Sequence, residues 1–335
     1  MKLNFLYRYL QLSILAASAA LPIANENLYA HIDQVGPPPV TVINEIVAFP
    51  PDTSELPGAI AIGHEDLFIS FPFLNEVRCY SQKGEFLDLY ELPVSHHNFT
   101  AGLVVKWNQE VYVIVNSYFA THPHGNGVWK ITTKGEISKF ADLPHGGYPS
   151  NLVFDKSDHL YVTDSVHGKI YKIDREGNVE TWVHDELLKG KHSGRFFSGI
   201  PQGASGLTIG KKSKDLYVAN TDYGRVLKIK INHDGSAGKI KVFADNWHLD
   251  GITALSFNRR GILYGVVPES NSIYGITKKG TKKVYAGEPL EFPTGLVMKK
   301  HKGINLGFIS NSAFVCEKNP GILRIKVAVD PMHAD

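Results

Sequence analysis

Six times along this chain a short β-prone phrase returns with an aromatic near its centre. The copies are DLFISFP around Phe68, EVYVIVN around Tyr112, HLYVTDS around Tyr161, DLYVANT around Tyr217, ILYGVVP around Tyr264 and LGFISNS around Phe308. The steps between the aromatics are 44, 49, 56, 47 and 44 residues. A repeat at that period confines a chain to stacked or radial architectures, and it matches the length of one four-stranded propeller blade.

The rest of each unit agrees. Upstream lies a knot of small residues and an apolar run: LPGAIAI, TAGLVV, PSNLVF, ASGLTI, LDGITAL and PTGLVM. Downstream comes an alternating run such as GVWKI or KIYKI. In five copies a glycine-centred turn follows, among them TKGE and REGN, as tight hairpins require. A fourth run then closes the unit. The sixth unit ends after GILRIKV, and TVINEIVAF (Thr41 to Phe49) alternates like the missing outer strand. The pattern predicts an all-β, six-bladed β-propeller of four-stranded blades over 41–327, the last blade completed by the N-terminal strand. That closure hides the sheet edges. The long step of 56 residues holds an insertion, LLKGKHSGRFFSGIPQG, expected to lie over the ring as a loop.

Outside the repeats, Lys2 and Arg8 precede an apolar, small-residue stretch, LQLSILAASAALPIA, which reads as a signal peptide over 1–24. A lead-in (25–40) and a tail (328–335) flank the propeller. The expected location is secreted or periplasmic, with no membrane association after signal removal. Lys+Arg 35 against Asp+Glu 33 leaves a net charge of +2, which argues against a nucleic-acid partner. A monomer acting on a small-molecule ligand or substrate is expected. Two cysteines exclude a Cys-rich zinc site. Ring closure would bring Cys79 and Cys316 into neighbouring blades, so a disulfide is one reading and a buried thiol at Cys79 the other. Asn98-Phe99-Thr100 is a glycosylation sequon. G-x-S-x-G, H-E-x-x-H and P-loop templates are all missing.

In a propeller the loop entering each innermost strand and the loop after each second strand open on one face. Two rings follow. The inlet ring, from the knots, is Pro57, Ala101, Ser150, Ser205, Asp250 and Thr294. The second ring, three positions after each aromatic, is Phe71, Val115, Asp164, Asn220, Val267 and Asn311.

The phrases PSNLVFDKSDHLYVTDSVHGKIYKID and ASGLTIGKKSKDLYVANTDYGRVLKIKI resemble the SMP-30/gluconolactonase-like lactonase superfamily, shading into NHL-type propellers. The resemblance spans all six repeats. It implies a single divalent cation, calcium above all, over the channel mouth. The cation would be held by Glu, Asn and Asp from the knots and would polarise a lactone carbonyl. Asp250 in LDGI keeps the Asp, Ser205 stands at the Asn position, and Pro57 stands at the Glu position. Asn151 lies one place off the ring. A displaced metal set of Asp250, Asp164 and Asn151 is therefore the expectation, with Asp250, His145 and His248 as catalytic candidates. Asn220, Asn311, Tyr148, Phe71 and Trp247 are the expected substrate contacts. His96, His97, His122, His124, Phe196 and Phe197 sit in further loops of the same face. The implied activity is hydrolysis of a small lactone or ester. The alternative is a non-catalytic propeller that binds a small ligand or a protein partner. For Asp164 a further alternative is turn fixation, its carboxylate accepting backbone N–H bonds.

Overall fold

The structure is a computed structural model that describes residues 37, 39–51, 53–117, 125–191, 200–210, 214–258, 260–301, 304–314 and 318–327. The expected signal peptide, the tail, the insertion aromatics Phe196 and Phe197, His122, His124 and Cys316 lie outside the described residues.

The chain opens with β1 (Val40–Ala48) and then makes blade after blade. Blade 1 is β2 (Ile60–Ile62), β3 (Asp66–Phe71), β4 (Glu76–Ser81) and β5 (Phe86–Glu91). Blade 2 is β6 (Asn98–Val105), β7 (Val111–Ser117), β8 (Gly127–Ile131) and β9 (Ile137–Asp142). Blade 3 is β10 (Pro149–Phe154), β11 (Leu160–Asp164), β12 (Lys169–Ile173) and β13 (Val179–His184). Blade 4 is β14 (Ala204–Ile209), β15 (Leu216–Asn220), β16 (Arg225–Ile231) and β17 (Ala237–Asp245). Blade 5 is β18 (Ala254–Phe257), β19 (Leu263–Val267), β20 (Ser272–Thr277) and β21 (Gly280–Ala286). Blade 6 is β22 (Pro293–His301), β23 (Ile304–Asn311) and β24 (Gly321–Val327), and β1 pairs antiparallel with β24 as its outermost strand. The innermost strands β2, β6, β10, β14, β18 and β22 each touch the next, and β22 touches β2, so the ring is closed. It is a six-bladed propeller. No helix among the described residues is long and apolar enough to cross a membrane.

The repeated aromatic has a physical reason. All six are buried. Tyr112 meets Phe140 of its own outer strand at 5.0 Å and Phe154 of the next blade at 4.9 Å, both edge-on. Tyr217 does the same with Phe243 (5.0 Å) and Phe257 (4.9 Å). The aromatic is thus a wedge between blades; its burial recurs in all six, with edge-to-face contacts at Tyr112, Tyr161 and Tyr217. Cys79 on β4 is a buried free thiol, and burial, then Asp66 and Asp88, push it up to about 12.

Candidate functional site

Strand pairing defines which residues form the mouth. Ile60, Leu103, Leu152, Leu207, Leu255 and Leu296 each pair with the residue just after a repeated aromatic: Ile69, Val113, Val162, Val218, Gly265 and Ile309. Two places earlier stand Gly58, Ala101, Ser150, Ser205, Thr253 and Thr294. That is the true inlet ring. The expected ring was one residue out in blade 1 and three out in blade 5. Asp250 is not a member. It ends a 3-10 turn, Trp247–Leu249, and Gly251 follows at φ 89°. LDGI imitates a knot, whereas the residues that fill the knot's place are Thr253 and Ala254.

The inlet ring is stitched blade to blade. Ser70 Oγ donates to the Ala101 carbonyl (3.0 Å), Asn116 Nδ2 to Pro149 (2.6 Å), and Ser165 Oγ to Ala204 (2.7 Å). Thr163 Oγ1 donates to Ser205 (2.8 Å), Thr221 Oγ1 to Ile252 (2.8 Å), and Thr253 Oγ1 to Thr294 (3.4 Å). Ser310 and Ser312 close the circle on the Gly58 and Pro57 carbonyls. The ring hydroxyls join in: Ser150 Oγ lies 2.6 Å from Ser165 Oγ, Ser205 Oγ lies 2.6 Å from Thr221 Oγ1, and Thr294 bonds Ser312. The ring's polar groups hold neighbouring blades together.

Blades 1 and 2 carry no ring hydroxyl, with Gly58 and Ala101 in its place, and in blade 2 the buried Asn116 Oδ1 has no hydrogen-bond partner. Ala101→Ser restores the missing donor, as Ser150 serves Ser165. It should raise stability by about 1 kcal/mol, read as a higher urea midpoint with unchanged slope.

The second ring turns inward. Phe71, Val115, Asp164, Asn220 and Asn311 are each 0% exposed, and Val267 is buried as well. Phe71 was expected to contact substrate. Instead it packs edge-on to Phe49 at 5.1 Å and under the Arg78 guanidinium at 4.3 Å. Asn220 Nδ2 donates to the Leu187 (2.9 Å) and Lys189 (2.8 Å) carbonyls. Asn311 donates to Pro289 (3.1 Å) and Asn319 (2.9 Å) and accepts from Glu291 N (2.6 Å). Both amides fasten loops of the mouth face.

Asp164 is the most connected of the ring. Its Oδ1 accepts from the backbone N–H of Tyr148 (3.0 Å), Val166 (3.2 Å) and His167 (3.1 Å). Its Oδ2 takes His167 Nδ1 (2.8 Å) and the Tyr171 hydroxyl (3.0 Å). Burial, then Asp164 itself, raises the Tyr171 phenol, so that hydroxyl is a donor. The fixed-turn reading of Asp164 is the one the geometry supports. Asn151 folds its Oδ1 onto Leu152 N (2.8 Å) and packs against Gly102 of the previous blade.

The remaining candidates separate. Tyr148 stands just before β10, half-buried, with its ring 5.7 Å from Phe99. His145 is exposed in the same loop. Trp247 is exposed and stacks on His248 (3.6 Å), which faces Tyr274 on the third strand of blade 5 (6.1 Å). That pair lies over the outer part of a blade. Burial, then Lys283, lowers the His248 imidazole. Phe73, Phe292 and Phe314 gather between blades 6 and 1 on the mouth face, with Phe314 5.8 Å from Phe73 and 6.1 Å from Phe292.

These residues do not fit a hard divalent cation. Such an ion needs several oxygens, preferably from carboxylates. The true inlet ring contains no carboxylate, both Asp164 oxygens are already bonded to protein donors, and the Asn151 oxygen is bonded to its own backbone. Among the described residues no three His, Cys, Asp or Glu side chains come together as a metal site. Sequence reasoning passed over His167. Its signal was an Asp-x-x-His spacing across a hairpin turn, with a glycine pair in the loop facing it.

No family model matches the chain, and no curated protein matches it. Solved structures do. A gluconolactonase from Xanthomonas campestris is 13% identical with a TM-score of 0.62, over 87% of this chain and 95% of its own. Virginiamycin B lyase from Staphylococcus aureus is 16% identical with a TM-score of 0.58, over 86% and 99%. The allergen Mala s 1 from Malassezia sympodialis is 11% identical with a TM-score of 0.62, over 85% and 96%. At these identities the likeness is one of fold.

Proposed function

We propose that the chain is an exported, monomeric propeller that binds and hydrolyses a small lactone or ester at its mouth, and that it does so without a divalent cation. The likeness in fold to a gluconolactonase supports the reaction class. The composition of the inlet ring carries the second half: Gly58, Ala101, Ser150, Ser205, Thr253 and Thr294 supply no carboxylate. Aromatics on the same face, Tyr148 and the Phe73–Phe314–Phe292 group, suit the apolar part of a small organic ligand. The binding-only reading is favoured by one observation, the use of Asn220 and Asn311 as loop fasteners.

Calcium decides the first point. A cation at 100 times its Kd would stabilise the fold by about 2.7 kcal/mol. For a domain this large that is a shift of several degrees in Tm. EDTA-treated protein should instead melt at the same temperature with and without millimolar calcium, and calcium should not change turnover of a lactone and aryl-ester panel. A calcium-dependent rise of several degrees would sink the cation-free reading. Ligand binding without turnover would select the binding-only one.

A further inference from the structure

We infer that His167 is the general base of this mouth and that Asp164 positions it, resting on the cation-free hydrolase reading above. Pro149, the first residue of β10, pairs with Asp164, the last of β11. The β11–β12 turn bearing His167 therefore lies at the same end as the inlet loop His145–Tyr148. Ser165 N donates to the Tyr148 carbonyl across that junction (3.0 Å).

The protonation pattern follows from the partners. Asp164 is 0% exposed and receives three backbone N–H groups and one phenol besides the imidazole. A carboxylate so surrounded by donors is an acceptor only. His167 Nδ1, 2.8 Å away, must then carry the hydrogen, which leaves the lone pair on Nε2. The His167 side chain is 32% exposed, so solvent reaches it.

One glycine makes room. A Cβ on Gly147 would lie 2.1 Å from Asp164 Oδ2 and 2.9 Å from His167 Nδ1, so that glycine clears the Asp–His bond. A Cβ on Gly146 would make only an ordinary contact, 3.9 Å from His167 Nε2, which puts the basic nitrogen beside the inlet loop. Tyr171 on β12 donates to the same Asp164 oxygen, and the Lys189 stem packs over Gly168, the residue after His167.

A buried acid fixing Nδ1 so that Nε2 can take a proton is the arrangement general-base catalysis needs. Water oxygen bonds to the substrate carbonyl carbon while Nε2 takes its proton and the C=O π pair moves onto oxygen. The tetrahedral adduct then re-forms the carbonyl and breaks the C–O ester bond. The leaving alkoxide takes the proton back from Nε2. One water is consumed, a carboxylic acid and an alcohol are formed, and His167 is regenerated. A lactone gives both groups in one hydroxy acid.

The fold contains its own control. His159 Nδ1 lies 3.1 Å from Asp155 Oδ2, with the Tyr161 hydroxyl at 3.3 Å, but in the β10–β11 turn at the opposite end of the blade. The test uses the full EDTA-treated chain with δ-valerolactone and p-nitrophenyl acetate. His167→Gln should lose about 100-fold or more in kcat/KM. His159→Gln should match wild type. Asp164→Asn, if folded, should lower kcat more than it raises KM. Should His167→Gln fail to fold, diethyl pyrocarbonate on wild type replaces it. Peptide mapping should then show activity falling in step with modification of His167, and hydroxylamine restoring both. Full activity in a folded His167→Gln, or after complete His167 modification, overturns the assignment and leaves the hydrolase reading standing. No turnover of either substrate by wild type overturns both.

Discussion

Asp164→Ala should destabilise the fold by about 3–5 kcal/mol, the range for removing one partner from a buried charged network. The carboxylate has no exposed surface and five donors converge on it. Alanine would leave three backbone N–H groups, the Tyr171 hydroxyl and the His167 Nδ1–H without this acceptor, around a carboxylate position that is itself fully buried. Each orphaned buried donor is destabilising by about 1–3 kcal/mol, less whatever the loop recovers by relaxing. Asp164→Asn should fall between. Its remaining oxygen can keep the three backbone donors, while its new NH2 faces the imidazole and the phenol donor to donor. Urea unfolding at neutral pH measures both. A loss under about 1 kcal/mol for the alanine variant would mean that Asp164 is not the hub its contacts describe. The matching Asn220 and Asn311 fasten their loops as neutral amides, so their alanine variants should lose less.

The period of the repeat and the order of the blades were legible because every blade packs against two neighbours. One wedge is needed at each interface, so an aromatic recurs at the same place in every copy. The register of the knots was not legible throughout. In blades 2, 3, 4 and 6 the knot sits where the small-residue pattern suggested. In blade 5 a tight turn with its own Asp-Gly copied that pattern three residues early. Pairing with Gly265 across the strand fixes Leu255, and hence Thr253, and a one-dimensional pattern carries no cross-strand partner. The second ring failed for another reason. Alternation along a strand identifies two faces, but in the middle of a propeller both faces meet neighbouring blades. Phe71, Asp164 and Asn311 therefore point into protein whichever parity is chosen. His167 escaped notice because its significance lies in what faces it, the Gly146–Gly147 pair and a buried acid.

The same inlet geometry makes Gly206→Ala the second severe change, with an expected loss of about 3 kcal/mol, the upper end for forcing extra volume into a packed interior. A Cβ there would lie 2.5 Å from the Thr253 carbonyl oxygen and 2.9 Å from the Ala254 Cα. Both are backbone of the next blade's inner strand, so no rotamer change relieves the contact. Around the ring this position reads Ala59, Gly102, Asn151, Gly206, Ala254 and Gly295, a glycine in every second blade. Gly102 shows the same constraint, 2.7 Å from the Asn151 Cα and the Ser150 carbonyl. Adjacent inner strands approach so closely that one of each pair gives up its side chain. Because the obstacle is main chain, Ala254→Gly should not rescue Gly206→Ala. The double variant should be at least as unstable as the single, with a coupling energy within about 0.5 kcal/mol of zero. Recovery in that double variant, followed by thermal or urea unfolding, would mean that the Ala254 methyl is the obstacle. The strands would then be free to separate, and the alternation of glycines would need another cause.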